Sequence, residues 1–305
     1  MLTLLLSLTA LAGPVPDRIA GEAVPWDVEQ VRAAMRIEIA APPGLGKQQE
    51  DDTLRNQLRA KTEAVKQVVD VLTAAMAQHE AEVDIAALTT LAAVEEDFSQ
   101  DLLASTVPSY LTSEQADAYR MALEDKAYPH LVQAREYEAR AVWTAEEAGL
   151  WCHEVLRKDH ADRLAEHPEE DPRRVLHGIA GPGKVSCDDP AQRGWVALRL
   201  GRWDAGLDLL KDDSGLDATR ARARVEEHRG NLKTSVRILR QLIQREDASD
   251  AVFSDVVAMA GRRAPPSDKG ASLADNARTG GARDLRKLDR WLEQLEDRAV
   301  DSHGP

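Results

Sequence analysis

The sequence predicts an all-α protein: helical hairpins stacked into a short solenoid, closed by a C-terminal capping helix. Three observations predict it. Aromatic residues make up 4% of the chain, with two Phe, while Ala, Leu, Glu and Arg are plentiful. Such a mixture favours helices, because Ala and straight-chain residues lose little rotamer freedom in them. Apolar residues recur at three- and four-residue steps rather than alternating, which is the period of a helix face. Two stretches in the C-terminal third also share the order helix, Gly turn, helix.

Residues 1–12, MLTLLLSLTALA, join an apolar run to Ala10-Leu11-Ala12. That is an A-x-A cleavage pattern behind a run too short to span a bilayer. Gly13-Pro14-Val15-Pro16 follows and would end any helix. The expectation is a signal peptide and a periplasmic or secreted protein. Residues 13–50 read as a linker with a short helix near Val28–Ile39, and APPGLGKQQ reads as loop.

Residues 51–165 read as a helical N-terminal domain. Leu54, Leu58, Val65, Val68, Leu72 and Met76 form one stripe of an amphipathic helix. Ile85, Leu88, Leu91, Val94 and Phe98 mark a second helix, antiparallel to the first across EAEVD. Thr112 followed by Gln115 is a capping-box pattern at the start of a third. Pro129 is expected to kink that helix or begin a new one. Tyr119, Tyr128, Tyr137 and Trp143 offer flat side chains for helix–helix contacts. A further helix runs from Trp151 to about Leu164, and the Pro-, Gly- and Asp-rich stretch 166–190 is a loop.

Residues 191–262 carry the repeats. Aligning Gly201 with Gly230 also aligns Trp203 with Leu232, Gly206 with Ser235, Leu207 with Val236 and Leu210 with Leu239. Glycine admits the left-handed turn between two helices, and the small residue five positions later permits close helix approach. The arrangement resembles the tetratricopeptide repeat, with a step of 29 in place of the usual period of about 34. A third pair begins near Ala248, with Val252, Val256 and Met259 on one face. Residues 263–281, within RRAPPSDKGASLADNARTGGA, have the composition of a flexible linker. The helix over 282–300 carries Leu285, Leu288, Leu292 and Leu295. It either caps the array or makes a short coiled-coil contact with a partner.

The stretch YLTSEQADAYRMALEDKAYP, residues 110–129, adds a second resemblance. It is similar to a segment of exported tetratricopeptide proteins of myxobacteria and related delta-proteobacteria, including proteins of the gliding-motility type. In those, an LTPEQ…YRQALEEKAYP run precedes the repeats. The similarity is sharpest over 108–143 and looser to about 245. It implies a periplasmic helical scaffold acting through protein contacts, and no catalytic residue.

Residues 1–190 carry 34 acidic against 18 basic side chains, and residues 191–305 carry 19 against 21. The acidic part argues against nucleic acid or anionic membrane as its partner, since both need cationic surface. No segment after residue 12 approaches membrane-spanning length. Cys152 and Cys187 can pair in an oxidising compartment, closing a loop of about 35 residues; two separate buried thiols are the alternative.

GIAGPGKV, residues 178–185, fits G-x-x-x-x-G-K but puts Val185 where a phosphate loop needs Ser or Thr. Without a strand before it or a helix directly after it, it reads as a turn. His153, His160 and His167 recur every seven residues, about 10 Å apart along a helix, too far to share one ion. No metal or other cofactor is therefore expected. The functional expectation is a non-enzymatic adaptor whose groove binds an envelope protein through Trp195, Arg199, Arg222 and Arg229. The rival is a periplasmic metal-binding protein or enzyme centred on 150–190.

Overall fold

The computed structural model describes residues 24–78, 80–183, 186–245, 247–263, 268–280 and 282–301. The expected signal peptide at 1–12 lies outside them. The chain divides into two compact units after Leu150. All regular structure is helical, with no strand among the described residues.

In the first unit, α1 (Val28–Met35) is capped by Asp27, whose carboxylate accepts from the Glu29 amide at 2.9 Å. Then come α2 (Lys47–Met76), α3 (Ala81–Ala104) and α4 (Ser113–Glu147). The apolar stripe of α2 is buried as Leu54, Val65, Val68, Leu72 and Ala75. α3 is buried nearly all round, because α2 covers one side and α4 the other. Close approach of α3 and α4 follows from alanine at the contact: Ala127, Ala134, Ala141 and Ala145 are the buried residues of α4. The Thr112–Gln115 capping box forms in both directions, at 3.3 and 3.1 Å. The turn before it is pinned to α2: Ser109 donates its amide and hydroxyl to Glu50, each at 3.0 Å, and the Tyr110 hydroxyl donates to Asp51. That bond to Asp51 holds the Tyr110 phenol up at about 12.

Several expectations are corrected here. Residues 24–46 are no mere linker: Trp26, Val31, Ala34, Ile39 and Ala41 enter the core, and α2 already starts at Lys47. The helix expected to end near Ile39 stops at Met35. Beyond it the Ala40 amide donates to Gln57, which gives an extended backbone group a partner. Of the two outcomes expected at Pro129, a new helix does not begin there: α4 runs through it as one element. Its large side chains also divide. Tyr137 packs on the core, whereas Tyr128 and Trp143 are exposed rather than buried between helices.

The second unit takes over the helix that the sequence assigned to the N-terminal domain, α5 (Glu154–Glu166). Arg163 donates to the Leu200 carbonyl at 3.0 Å and Arg202 pairs with Asp159 at 3.0 Å, so α5 is tied to residues 200–202. A single turn (α6, Pro172–Val175) and the loop to Asp189 lead to α7 (Pro190–Arg199), α8 (Trp203–Leu209), α9 (Leu216–His228) and α10 (Leu232–Ile243). Gly201 and Gly230 turn these hairpins with φ of 73° and 85°. The hydrogen bonds match. Gly201 donates to Leu198 and Arg202 to Ala197; Gly230 donates to Glu227 and Asn231 to Glu226. This is the glycine-closed helix end.

Beyond the corners the hairpins differ. Leu176, Trp195, Leu198, Leu210, Ala218, Ala221 and Val225 form one core around α7, α8 and α9. Val236, Leu239 and Leu242 of α10 instead meet α11 (Asp250–Arg263), α12 (Asp268–Gly280) and α13 (Ala282–Asp301). α13 folds onto α10 and α12 with Leu288 and Leu292 buried, and Arg240 bonds Asp289 and Glu296 across the contact. The flexible linker expected over 263–281 is corrected: 268–280 is helical, with Ala274 and Ala277 in the core. Burial of that face outweighs the weak helix propensity of its Gly and Ser. Gly206 lies where α8 crosses α7, and a Cβ there would sit 2.6 Å from Leu198 Cγ. Gly206→Ala is expected to destabilise this unit by about 1–3 kcal/mol, as overpacked cores do, with urea unfolding as the measurement.

Candidate interaction surfaces

The loop resembling a phosphate cradle has the wrong polarity for one. Arg199 donates to the carbonyls of Ala180 and Pro182, at 3.3 and 2.9 Å, and Arg220 donates to that of Gly178 at 3.1 Å. The loop thus offers carbonyl oxygens to guanidinium groups, the reverse of amides gathered around an anion. Lys184 and Val185 lie outside the described residues.

The four residues expected to share a binding face are brought into one region but are engaged internally. Trp195 is 5% exposed and belongs to the core. Arg222 donates to the carbonyls of Lys211 and Asp213, at 3.0 and 2.9 Å, holding the turn after α8. Arg229 pairs with Asp204 at 2.7 Å, joining the end of α9 to the start of α8. Arg199 secures the loop as described. The expectation that Trp195 contacts a partner is corrected by its burial. Arg199 and Arg222 supply donors to loop carbonyls and Arg229 to a carboxylate, while Arg199 and Arg229 keep exposed surface. Beside them lies a shallow cleft of about 380 Å³, lined by Gly181, Pro182, Trp195, Asp213, Leu216 and Asp217. Its carboxylates are engaged too, Asp213 with the Gly215 amide and Asp217 with Arg220.

Cys152 and Cys187 form a disulfide, with Cα atoms 6.0 Å apart and a sequence separation of 35. It ties the segment before α5 to the segment before α7. On the chain-entropy model a loop of this size contributes about 3–4 kcal/mol. Reduction, or Cys152→Ser, is expected to lower the stability of the second unit by about that amount in chemical denaturation.

The histidines do not converge. His153 caps α5, its Nδ1 accepting from the Val155 amide at 3.2 Å. Burial, reinforced by Arg163, pushes His160 below the ordinary imidazole range. His167 lies past the helix end, where it groups with Glu169 and Glu170. All three are exposed, an arrangement common on hydrated acidic surfaces.

The other surface was hidden from sequence periodicity. Met121, Tyr128 and Trp143 on α4 are 65%, 67% and 59% exposed, and Val132 is exposed as well. Their spacings of 7, 4 and 11 residues place them within about 60° of one another around the helix. They form one apolar strip on the side of α4 facing away from α3. The clue was available in Ala127, Ala134 and Ala141, which repeat every seven residues on the opposite side and mark where α4 is packed. No helix among the described residues is long and apolar enough to cross a membrane. Comparison with known proteins finds no matching family model, no matching curated protein and no matching solved structure.

Proposed function

We propose that this chain is an exported helical scaffold of tetratricopeptide-like build, which acts without catalysis by binding another protein of the cell envelope, as in gliding-motility-type assemblies. The observation that carries the reading is the apolar strip of α4. Four apolar side chains along one helix face are exposed, and apolar residues grouped on one exposed face mark interaction sites. The two glycine corners with matching hydrogen bonds support the repeat character. The disulfide supports export, since such bonds persist in oxidising compartments.

The test places a photo-crosslinking phenylalanine analogue at Tyr128, and at exposed Gln67 on α2 as control, in the native cells. The expected result is a crosslink to one envelope protein from position 128 and none from 67. Equal labelling from both, or none from 128, overturns the reading. N-terminal sequencing of the envelope-fraction protein checks export, with a start at Gly13 expected.

A further inference from the structure

The apolar strip of α4 is flanked mainly by acidic side chains. Glu114, Glu124, Asp125 and Glu136 are exposed and lie within about 70° of the strip's midline, where Arg135 is the one basic side chain. Among the described residues, no basic group lies within ion-pairing distance of Glu124, Asp125 or Glu136. Asp117, also on this side, is paired with Arg120 at 2.8 Å. The strip from Met121 to Trp143 covers 22 residue steps of α4, about 33 Å at 1.5 Å per residue.

Resting on the reading of α4 as a protein-binding face, we infer that its occupant is a cationic amphipathic helix of a partner protein. The partner's apolar side covers Met121, Tyr128, Val132 and Trp143. Its Lys or Arg residues meet Glu124, Asp125 and Glu136.

A helix is required rather than a strand. The backbone groups of α4 are satisfied within the helix, so an extended segment would gain no ladder of hydrogen bonds there. A helical partner has its own backbone satisfied and can bury side chains along the strip. Charge fixes the sign. Two copies of this face would bring two acidic borders together, and an anionic lipid surface would meet the same repulsion. A basic partner gains attraction along the same length.

The probes are two labelled synthetic 22-residue amphipathic helices with one apolar pattern, the polar side Lys in one and Glu in the other. Each is titrated into the full chain and read by fluorescence anisotropy. The Lys peptide is expected to bind, the Glu peptide at least tenfold more weakly, and salt is expected to weaken the former. Tyr128→Ser with Trp143→Ser should lower Lys-peptide affinity about tenfold or more, as loss of aromatic anchors does. Glu124→Lys, Asp125→Lys and Glu136→Lys together should lower it similarly and raise Glu-peptide affinity. All five positions are exposed, and circular dichroism checks that each variant folds.

No binding of the Lys peptide, equal binding of both peptides, or an unchanged charge-reversed variant overturns the inference. If the serine variant loses the Lys peptide while the charge-reversed one keeps it, the cationic assignment fails and the protein-binding face survives. If neither variant changes binding and Tyr128 gives no crosslink, both fail. Self-association in sedimentation that Tyr128→Ser abolishes, or flotation with phosphatidylglycerol vesicles, overturns the inference in favour of a second copy or a membrane.

Discussion

Lys61→Ala is expected to destabilise the first unit by about 3–5 kcal/mol, the range for removing one partner of a buried ion pair. Lys61 is 0% exposed. Its ammonium donates to Asp97 and Asp101, each at 2.5 Å, and to the Met35 carbonyl at 3.2 Å. All three donors are therefore used, and they join the end of α1 to α2 and α3. Truncation leaves two carboxylates side by side in a partly desolvated site. Burial already pushes the Asp97 carboxyl above its usual range, Lys61 draws it down, and the charge of Asp101 raises it.

The sign of the pH effect follows from that. Between the ordinary carboxyl pKa and its raised folded value, Asp97 binds more proton folded than unfolded, so its contribution to stability falls as pH rises. Losing the ammonium removes the influence that draws Asp97 down. The deficit of Lys61→Ala should therefore be largest at pH 7 and smaller at a mildly acidic second pH, because Asp97 takes up its proton more readily once the ammonium is gone. Paired urea melts of wild type and variant at the two pH values check this; a pH-independent deficit would show that lost packing, not exposed charge, governs the site.

Asp255→Ala should cost the second unit a similar amount, about 3–5 kcal/mol, through the opposite charge. Asp255 on α11 is buried and accepts from Arg220 at 2.8 and 3.3 Å and from Arg224 at 2.6 Å, both on α9. Arg220 is itself buried and also donates to the Gly178 carbonyl. The carboxylate thus holds the arginine that anchors the 176–189 loop. Without it a buried guanidinium keeps only Asp217 and that carbonyl as partners. Exchange of the amides around Gly178 should accelerate together with the loss of global stability. Arg220→Met with Asp255→Leu should recover part of the loss, because the buried guanidinium goes with the carboxylate and Arg224, 14% exposed, is the charge left without Asp255. A double variant as unstable as the single one would assign the effect to shape instead.

The helices of the first unit were legible where apolar periodicity was strong. The stripe from Leu54 to Leu72 and the capping box at Thr112 both occur as their spacing indicates. The corners at Gly201 and Gly230 were legible because only a left-handed turn accounts for glycine between two amphipathic runs. Residues 268–280 were not, since their helix depends on burying Ala274 and Ala277 against distant Met259 and Leu288. Trp195 and the three arginines were legible as a cluster, but their roles were not. An arginine reads alike in sequence whether it meets a partner protein or a carbonyl of its own loop. Tyr128 and Trp143 failed in the other sense, because their size argued for burial while α4 turns its alanines inward.

By itself the sequence determined that the protein is helical, where its main amphipathic faces lie and where glycine turns the hairpins. These depend on local spacing and on backbone freedom, which neighbours along the chain decide. Tertiary structure alone decided which faces are covered, that Lys61 and Asp255 hold buried charges between helices, and that the outer side of α4 stands open. Burial and charge pairing depend on residues dozens of positions apart, and no local pattern encodes which of them will meet.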